Sequence, residues 1–176
     1  MADLHPDNPY AEERHPDAEK SYEFSSEQME EFNRILERYP NKQAALLPVL
    51  HLAQRTWDWL PPGVIVYVSE LLGLTPSYVF GVVTFYNMYN QKPRGKYFMQ
   101  ICTNLPCMLR GAYDIYEDLC ENLSVHPGEN TEDGKFTVLE VECLGSCGTA
   151  PVVQVNNDYH EEMTVEKTRQ LMKTLD

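Results

Sequence analysis

The sequence predicts a chain of mixed class, α+β or α/β, in which a helical bundle precedes an α/β domain. Two observations lead to this prediction. Helix caps and apolar faces of helical period follow one another through residues 25–92, whereas residues 93–176 alternate strand-like segments with helical stripes. Residues 1–24 are rich in Pro, Asp and Glu and poor in apolar side chains, so we predict a disordered acidic tail there.

The first helix of the bundle is predicted to begin at Ser25, which forms a capping box with Gln28. One face of this helix is apolar and consists of Met29, Phe32, Ile35, Leu36 and Tyr39. Pro40 and Asn41 should end it. A second helix is predicted over Lys42–Thr56, and Pro48 should kink it or break its first turns.

Two further helices complete the predicted bundle. Pro61 and Pro62 can open the third, which runs through Leu72, and Gly73 can close it. Thr75 and Pro76 are a cap and a first position for the fourth, which extends towards Tyr86. The aromatic side chains of Trp57, Trp59 and Phe85–Tyr89 are interpreted mostly as core, with docking to another protein as the alternative.

The second half is predicted as strand, helix, strand, strand and helix. The strands are Lys96–Cys102, a segment in which Phe136, Val138 and Val141 alternate, and Val152–Val155. Residues 129–135 have the composition of a turn. The first helix has an apolar stripe of Leu109, Ala112, Tyr116, Leu119, Cys120 and Leu123. The closing helix covers Thr164–Leu175.

Composition excludes several classes of function. The net charge of −13 disfavours binding to nucleic acid, because phosphates are bound by Lys and Arg, and it disfavours docking of a basic patch on anionic lipid. The sequence contains no apolar run that would span a bilayer and no signal or transit peptide pattern at its N-terminus. We therefore expect a soluble protein in a reducing compartment, the bacterial cytoplasm, where cysteines are ligands, catalytic thiols or core residues rather than disulfides.

Four of the five cysteines form two pairs that lie far apart in the sequence. Cys102 and Cys107 have four residues between them, and Cys143 and Cys147 have three. Each pair follows a predicted strand. If the two strands are neighbours in one sheet, both pairs leave it at the same edge, and four thiolates can hold a metal centre that needs soft ligands.

Spacing favours a [2Fe–2S] cluster over a zinc ion at these cysteines. Structural zinc sites commonly use tight pairs, whereas a two-iron cluster is wider because each iron takes two thiolates. Gly145 and Gly148 would let backbone N–H groups approach sulfur. Zinc remains the second interpretation. Two disulfides or a dithiol redox site come third, since the sequence has no C-x-x-C motif.

Other candidate residues are interpreted as structural. Cys120 falls on the apolar stripe and should be a core residue. The five histidines (His5, His15, His51, His126 and His160) have no convergent spacing with the cysteines, which disfavours a Rieske-type site. The acid pairs Glu12–Glu13 and Glu161–Glu162 are expected to be solvated surface. No motif for binding a nucleotide or flavin on this chain is present.

The segments CTNLPC and VECLGSCGTAPVVQVN resemble the thioredoxin-like [2Fe–2S] ferredoxin family. Over residues 25–175 the sequence is similar to the small iron–sulfur subunits in the NADH-oxidising arm of NADH-quinone oxidoreductases. The resemblance implies a thioredoxin-like fold in the second domain and one [2Fe–2S] cluster bound by Cys102, Cys107, Cys143 and Cys147. It also implies a proline, usually cis, beside the redox site, and we expect Pro151 to fill this place in a strained loop.

The resemblance further implies partners and a mechanism. A flavoprotein subunit would bind FMN and NADH, and this chain would carry single electrons beside that flavin, without a catalytic residue of its own. Other iron–sulfur subunits of a peripheral arm would lie nearby, on the cytoplasmic face of the bacterial inner membrane. Similar subunits serve NAD-linked hydrogenases and formate dehydrogenases, which stay open as alternatives. A zinc-stabilised interaction module without redox activity is the alternative from a different class.

Overall fold

The computed structural model describes residues 20–175. Contacts between residues divide the chain into two compact units, Met1–Pro93 and Arg94–Asp176. We call their described parts the helical unit and the sheet unit. Most of the predicted disordered tail lies outside the described residues. Its last residues are an exception, because Phe24 is buried and stacks on Trp57 with ring centroids 5.1 Å apart, so the packed helical unit begins before residue 25.

The helical unit has the four helices that the sequence predicts, with shifts at their ends. They are α1 (Ser26–Glu37), α2 (Leu46–Trp57), α3 (Pro62–Leu72) and α4 (Pro76–Phe85). Ser25 and Gln28 form the expected capping box, and Thr75 caps α4. The second helix starts four residues later than predicted, at Leu46, so that Pro48 lies in its first turn, where no helical N–H bond is lost.

The core of the helical unit is formed mainly by aliphatic side chains of α2, α3 and α4. Val49, Leu50, Val64 and Val68 are fully buried in it. The aromatic segment after α4 is only partly core, because Tyr89 is buried whereas Phe85 is 78% exposed. Within residues 20–175 no single helix is long and apolar enough to cross a membrane. Taken together, α3 and α4 have the length and composition of a membrane span, but the chain bends by 119° between the two helices.

The sheet unit contains four strands and three helices among the described residues. In chain order they are β1 (Tyr97–Cys102), α5 (Leu105–Met108), α6 (Ala112–Leu123), β2 (Phe136–Val141), β3 (Val153–Val155), β4 (Asp158–His160) and α7 (Val165–Thr174). A short 3-10 turn covers Cys147–Thr149. The prediction missed β4, whose three residues lack a buried apolar position and follow a tight turn at Asn156, where φ is +54°.

The strand order is β2-β1-β3-β4, with β1 parallel to β2 and antiparallel to β3. Helix α6 packs on β1 and β2 through Ala112, Ile115 and Leu119, and α7 packs on α6. The stripe prediction was wrong at Leu109, which is 74% exposed, because α6 begins only at Ala112. The Ala150–Pro151 peptide bond is cis, as the resemblance implied.

Gly95 lies where β1 and β2 first approach each other. Its N–H donates a 2.6 Å hydrogen bond to the hydroxyl of Thr137. A Cβ atom at Gly95 would come within 2.7 Å of the backbone carbon of Phe136, closer than such atoms ever pack. The parallel pairing therefore depends on the absence of a side chain at this position.

We expect Gly95→Ala to destabilise the sheet unit by about 1–3 kcal/mol, because the backbone of β2 must move to admit a methyl group. Hydrogen exchange of the β1 amides and urea unfolding would measure this effect. Gly81→Ala in α4 is the matched control, since a Cβ there meets nothing within 4 Å, and it should be neutral or slightly stabilising. Equal protection of β1 in both variants would contradict the role assigned to Gly95.

Candidate metal centre

The four paired cysteines lie at one end of the sheet. Cys102 is the last residue of β1, where it pairs with Val141 at the end of β2. Because the two strands are parallel, the loop to Cys107 and the loop that carries Cys143 and Cys147 leave from the same edge. The strands that precede the two cysteine pairs are therefore neighbours in the sheet, which is the condition for the pairs to converge.

The first loop is short and well anchored. The Cys102 N–H donates to the carbonyl of Val152 at 3.1 Å, and the Thr103 N–H donates to that of Val141 at 3.1 Å. Asn104 caps α5 by accepting from the Leu105 N–H at 2.9 Å. The Cys102 and Cys107 side chains that this loop carries are buried in the core of the sheet unit.

Carboxylates at the end of β2 join the first loop to the second. The Thr103 hydroxyl donates to Glu140 at 2.9 Å, and the Asn104 amide donates to Glu142 at 2.8 Å. Glu142 directly precedes Cys143. The two cysteine loops are therefore linked by side chains as well as by the strands from which they emerge.

The second pair is exposed to solvent, unlike the first. The sulfur atoms of Cys143 and Cys147 lie 3.5 Å apart. The Gly145 N–H donates to the Cys143 sulfur at 3.4 Å, and this residue has φ of +86°, which glycine adopts readily. The expectation that a glycine lets a backbone N–H reach sulfur is met at Gly145.

Electrostatic coupling joins the two pairs. Burial is the largest cause that raises the pKa of Cys107 to about 11; the hydrogen bond and charge of Cys102 and the charge of Cys147 contribute, and a backbone hydrogen bond from Val152 acts against them. The hydrogen bond and charge of Cys143 raise the pKa of Cys147, and Cys102 adds to this effect. Thiols that repel each other's ionisation lie close together, and a bound cation would reverse this penalty.

The four thiols are not drawn together into a closed metal-binding group in this structure. Among residues 20–175, no three His, Cys, Asp or Glu side chains are grouped so that they could hold a metal ion. Cys120 lies on α6, half-buried against the core of the sheet unit, where burial raises its pKa. Cys120 therefore packs against the core, as its position in the apolar stripe predicts.

One group of residues at this site was not predicted from the sequence. Glu161, interpreted as solvated surface, is exposed but accepts hydrogen bonds from the hydroxyls of Ser146 and Thr149. Tyr159 donates to the carbonyl of Leu144 at 2.9 Å. No spacing rule connects residues so far apart in the sequence. They meet because the β3–β4 hairpin, which the prediction lacked, returns the chain to the cysteine loop.

The environments of the thiols predict unequal reactivity in the metal-free chain. Since the pKa of Cys107 rises from 9.0 to about 11, its thiolate fraction at pH 8 falls by about a hundredfold. Iodoacetamide should modify the exposed Cys143 first and the buried Cys102 and Cys107 last, and the Cys107 rate should climb with pH up to its pKa. The order is measured by mass spectrometry of timed samples of the Cys120→Ser variant, in which only the four paired thiols remain. Modification of Cys107 as fast as Cys143 would contradict it.

Comparison with known proteins gives consistent matches. The family profile described as thioredoxin-like [2Fe–2S] ferredoxin matches residues 32–176. A subunit of NADH-quinone oxidoreductase from Rickettsia bellii is 42% identical over 158 residues, which are 88% of this chain and 95% of the relative. The mitochondrial NADH dehydrogenase [ubiquinone] flavoprotein 2 of Dictyostelium discoideum is 38% identical, over 86% of this chain and 62% of its own.

Among solved structures, the crystal structure of an NAD⁺-reducing [NiFe]-hydrogenase in the air-oxidized state matches with a TM-score of 0.65. The match is 22% identical in sequence and covers 74% of this chain but only 22% of the hydrogenase chain, so it bears on the fold alone. The sequence relatives and the family profile cover most of the chain. The chain belongs to the thioredoxin-like [2Fe–2S] ferredoxin family.

Proposed function

We propose that this chain is an electron-transfer subunit of an NADH-quinone oxidoreductase, respiratory complex I, and holds one [2Fe–2S] cluster. Cys102, Cys107, Cys143 and Cys147 would be its ligands. The observation that carries the proposal is the parallel pairing of β1 and β2, which sends both cysteine loops from one edge of the sheet. Family membership and relatives that are subunits of NADH-quinone oxidoreductase support it.

The donor set fits such a cluster. It consists of soft thiolates, two from each loop, which matches the need of two irons for two cysteines each. The zinc-stabilised module is not favoured, because the matching family profile is that of a [2Fe–2S] ferredoxin and the sequence relatives are subunits of NADH-quinone oxidoreductase.

When bound, a [2Fe–2S] cluster accepts and releases one electron at a time. The residues of this chain provide its protein environment. Cys102 and Cys107 would hold the cluster from the buried side, and Cys143 and Cys147 from the exposed side. The backbone N–H groups of Gly145 and Val152 donate hydrogen bonds to the sulfurs of Cys143 and Cys107, respectively.

A surface for electron exchange lies beside the buried pair. Leu105, Met108 and Leu109 are 60%, 40% and 74% exposed, and each lies within two residues of Cys107 in the sequence. Exposed apolar side chains in a group are typical of a protein contact. We infer that the partner there is the flavoprotein subunit that binds FMN and NADH, with other peripheral-arm iron–sulfur subunits nearby, on the cytoplasmic face of the membrane.

The alternative of a subunit in an NAD-linked hydrogenase or formate dehydrogenase is not favoured. The likeness to a hydrogenase concerns the fold, whereas the sequence relatives are subunits of NADH dehydrogenases. Affinity purification of the tagged full chain from its native membranes distinguishes these machines. We expect complex I subunits in the eluate, and recovery of a hydrogenase in their place would overturn the assignment.

Iron and acid-labile sulfide analysis tests the cluster itself. The purified chain should be red-brown and contain two irons and two sulfides, as a [2Fe–2S] group requires. Serine in place of Cys102, Cys107, Cys143 or Cys147 should abolish or strongly reduce both contents, since a hydroxyl is a harder and poorer ligand for iron. Cys120→Ser is the matched control and should keep a full cluster. A full cluster after loss of one of the four thiols would contradict the ligand assignment.

The reduction potential should be low. An added electron is opposed by the net charge of −13 and by the nearby carboxylates of Glu140 and Glu142. Redox titration of the purified chain, followed by EPR of the reduced form, should give about −400 mV or lower, the range of plant-type ferredoxins. A positive potential would be inconsistent with four thiolate ligands in this acidic setting.

A further inference from the structure

Glu161 bridges the two hydroxyls that flank Cys147. The hydroxyl of Ser146, one residue before Cys147, donates to the Oε1 atom of Glu161. The hydroxyl of Thr149, two residues after it, donates to the same oxygen at 2.6 Å. The two hydroxyls also lie 2.9 Å from each other. One carboxylate oxygen therefore holds the chain on both sides of a proposed ligand.

Two neighbours of Glu161 fasten the same loop at other points. The Tyr159 hydroxyl donates to the Leu144 carbonyl at 2.9 Å, and the Glu162 N–H donates to the Thr149 carbonyl at 2.7 Å. The loop from Leu144 to Thr149 is exposed or half-buried, so little apolar packing orders it. Its conformation depends on these hydrogen bonds from the end of the β3–β4 hairpin.

The charge on Glu161 strengthens its hold. The bonds from Ser146 and Thr149 lower the pKa of Glu161, so this carboxyl group is ionised at neutral pH. Hydrogen bonds to a charged acceptor are stronger than those between neutral groups. While Glu161 accepts them, the two hydroxyl protons point at oxygen and do not bond to sulfur.

We propose that Glu161 is a positioning residue for the second cysteine loop, and that by engaging the hydroxyls of Ser146 and Thr149 it keeps the cluster's reduction potential low. The proposal rests on the function inferred above. Hydrogen bonds to the sulfurs of an iron–sulfur centre raise its potential. A hydroxyl released beside Cys147 can donate to a sulfur atom, so removal of Glu161 should both loosen the loop and raise the potential.

Glu161→Ala tests this proposal, with Glu162→Ala as the matched control. The two glutamates are adjacent and exposed, and each substitution removes one carboxylate, so the two variants change the net charge equally. The loaded chain is incubated with an iron chelator, and the visible absorbance is followed. We expect the absorbance of Glu161→Ala to decay about five- to tenfold faster than that of wild type, from the loss of charge-assisted hydrogen bonds. Glu162→Ala should decay like wild type.

Redox titration separates the proposed role from a merely structural one. The potential of Glu161→Ala should move further in the positive direction than that of Glu162→Ala. Repeating both in a Ser146→Ala, Thr149→Val background removes the hydroxyl donors. If Glu161 acts through those hydroxyls, the excess shift disappears in that background. An excess shift that persists there, or equal shifts for the two glutamates from the start, overturns the proposal.

Hydrogen exchange of the metal-free chain provides a readout that needs no cluster. Amides of the loop at 144–150 should exchange faster in Glu161→Ala than in Glu162→Ala. If wild type assembles no iron and sulfide, the proposed function fails. The exchange experiment still tests the positioning role in that case, and equal exchange in the two variants rejects it. If wild type carries a cluster but the two variants behave alike in all three measurements, only the inference about Glu161 fails.

Discussion

The parallel pairing of β1 with β2 determines where every proposed ligand lies. Its register runs from Tyr97 opposite Phe136 to Cys102 opposite Val141. Because side chains alternate between the faces of a sheet, a slip of one residue would turn Cys102 to the other face and shift the start of the first loop. Gly95 holds the register at the opposite end of the strands, where any side chain would collide with the backbone of Phe136. Thus a position remote from the sulfurs supports the strand pairing from which both cysteine loops start.

The two cysteine pairs contribute to a metal centre in different ways. Cys102 and Cys107 are buried in the sheet unit, and the pKa of Cys107 is raised to about 11, so ionisation without a cation is unfavourable there. Cys143 and Cys147 are exposed on a loop that few apolar contacts order. In the first pair, Cys107 is thus positioned but protonated, whereas the second pair is accessible but loosely held. Metal binding would deprotonate Cys107 and order the loop of Cys143 and Cys147. Assembly of the metal centre is therefore coupled to pH and to the hydrogen bonds of the second loop.

Local sequence signals predicted most of the fold because the deciding residues are close together in the chain. The capping box of Ser25 and Gln28, the cap at Thr75 and the left-handed Gly73 each act within one helical turn. The cysteine pairs were recognisable for the same reason. Errors arose where long-range packing decides: Phe24 is ordered by stacking on Trp57, and Leu109 is excluded from the stripe because α6 begins after it. The strand β4 has no apolar alternation, so its pairing with β3 is the only evidence of it, and without it the position of Glu161 could not be inferred.

The polar side chains of both cysteine loops share one arrangement. Thr103 donates to Glu140, Asn104 to Glu142, and Ser146 and Thr149 to Glu161. Each of these four side chains therefore donates to a carboxylate, while the backbone N–H groups of Gly145 and Val152 donate to sulfur. The same carboxylates order the loops and add negative charge around the centre. Because both the charge and the diversion of donors disfavour an added electron, the groups that order this site would also keep the potential of a cluster bound there low, as we propose.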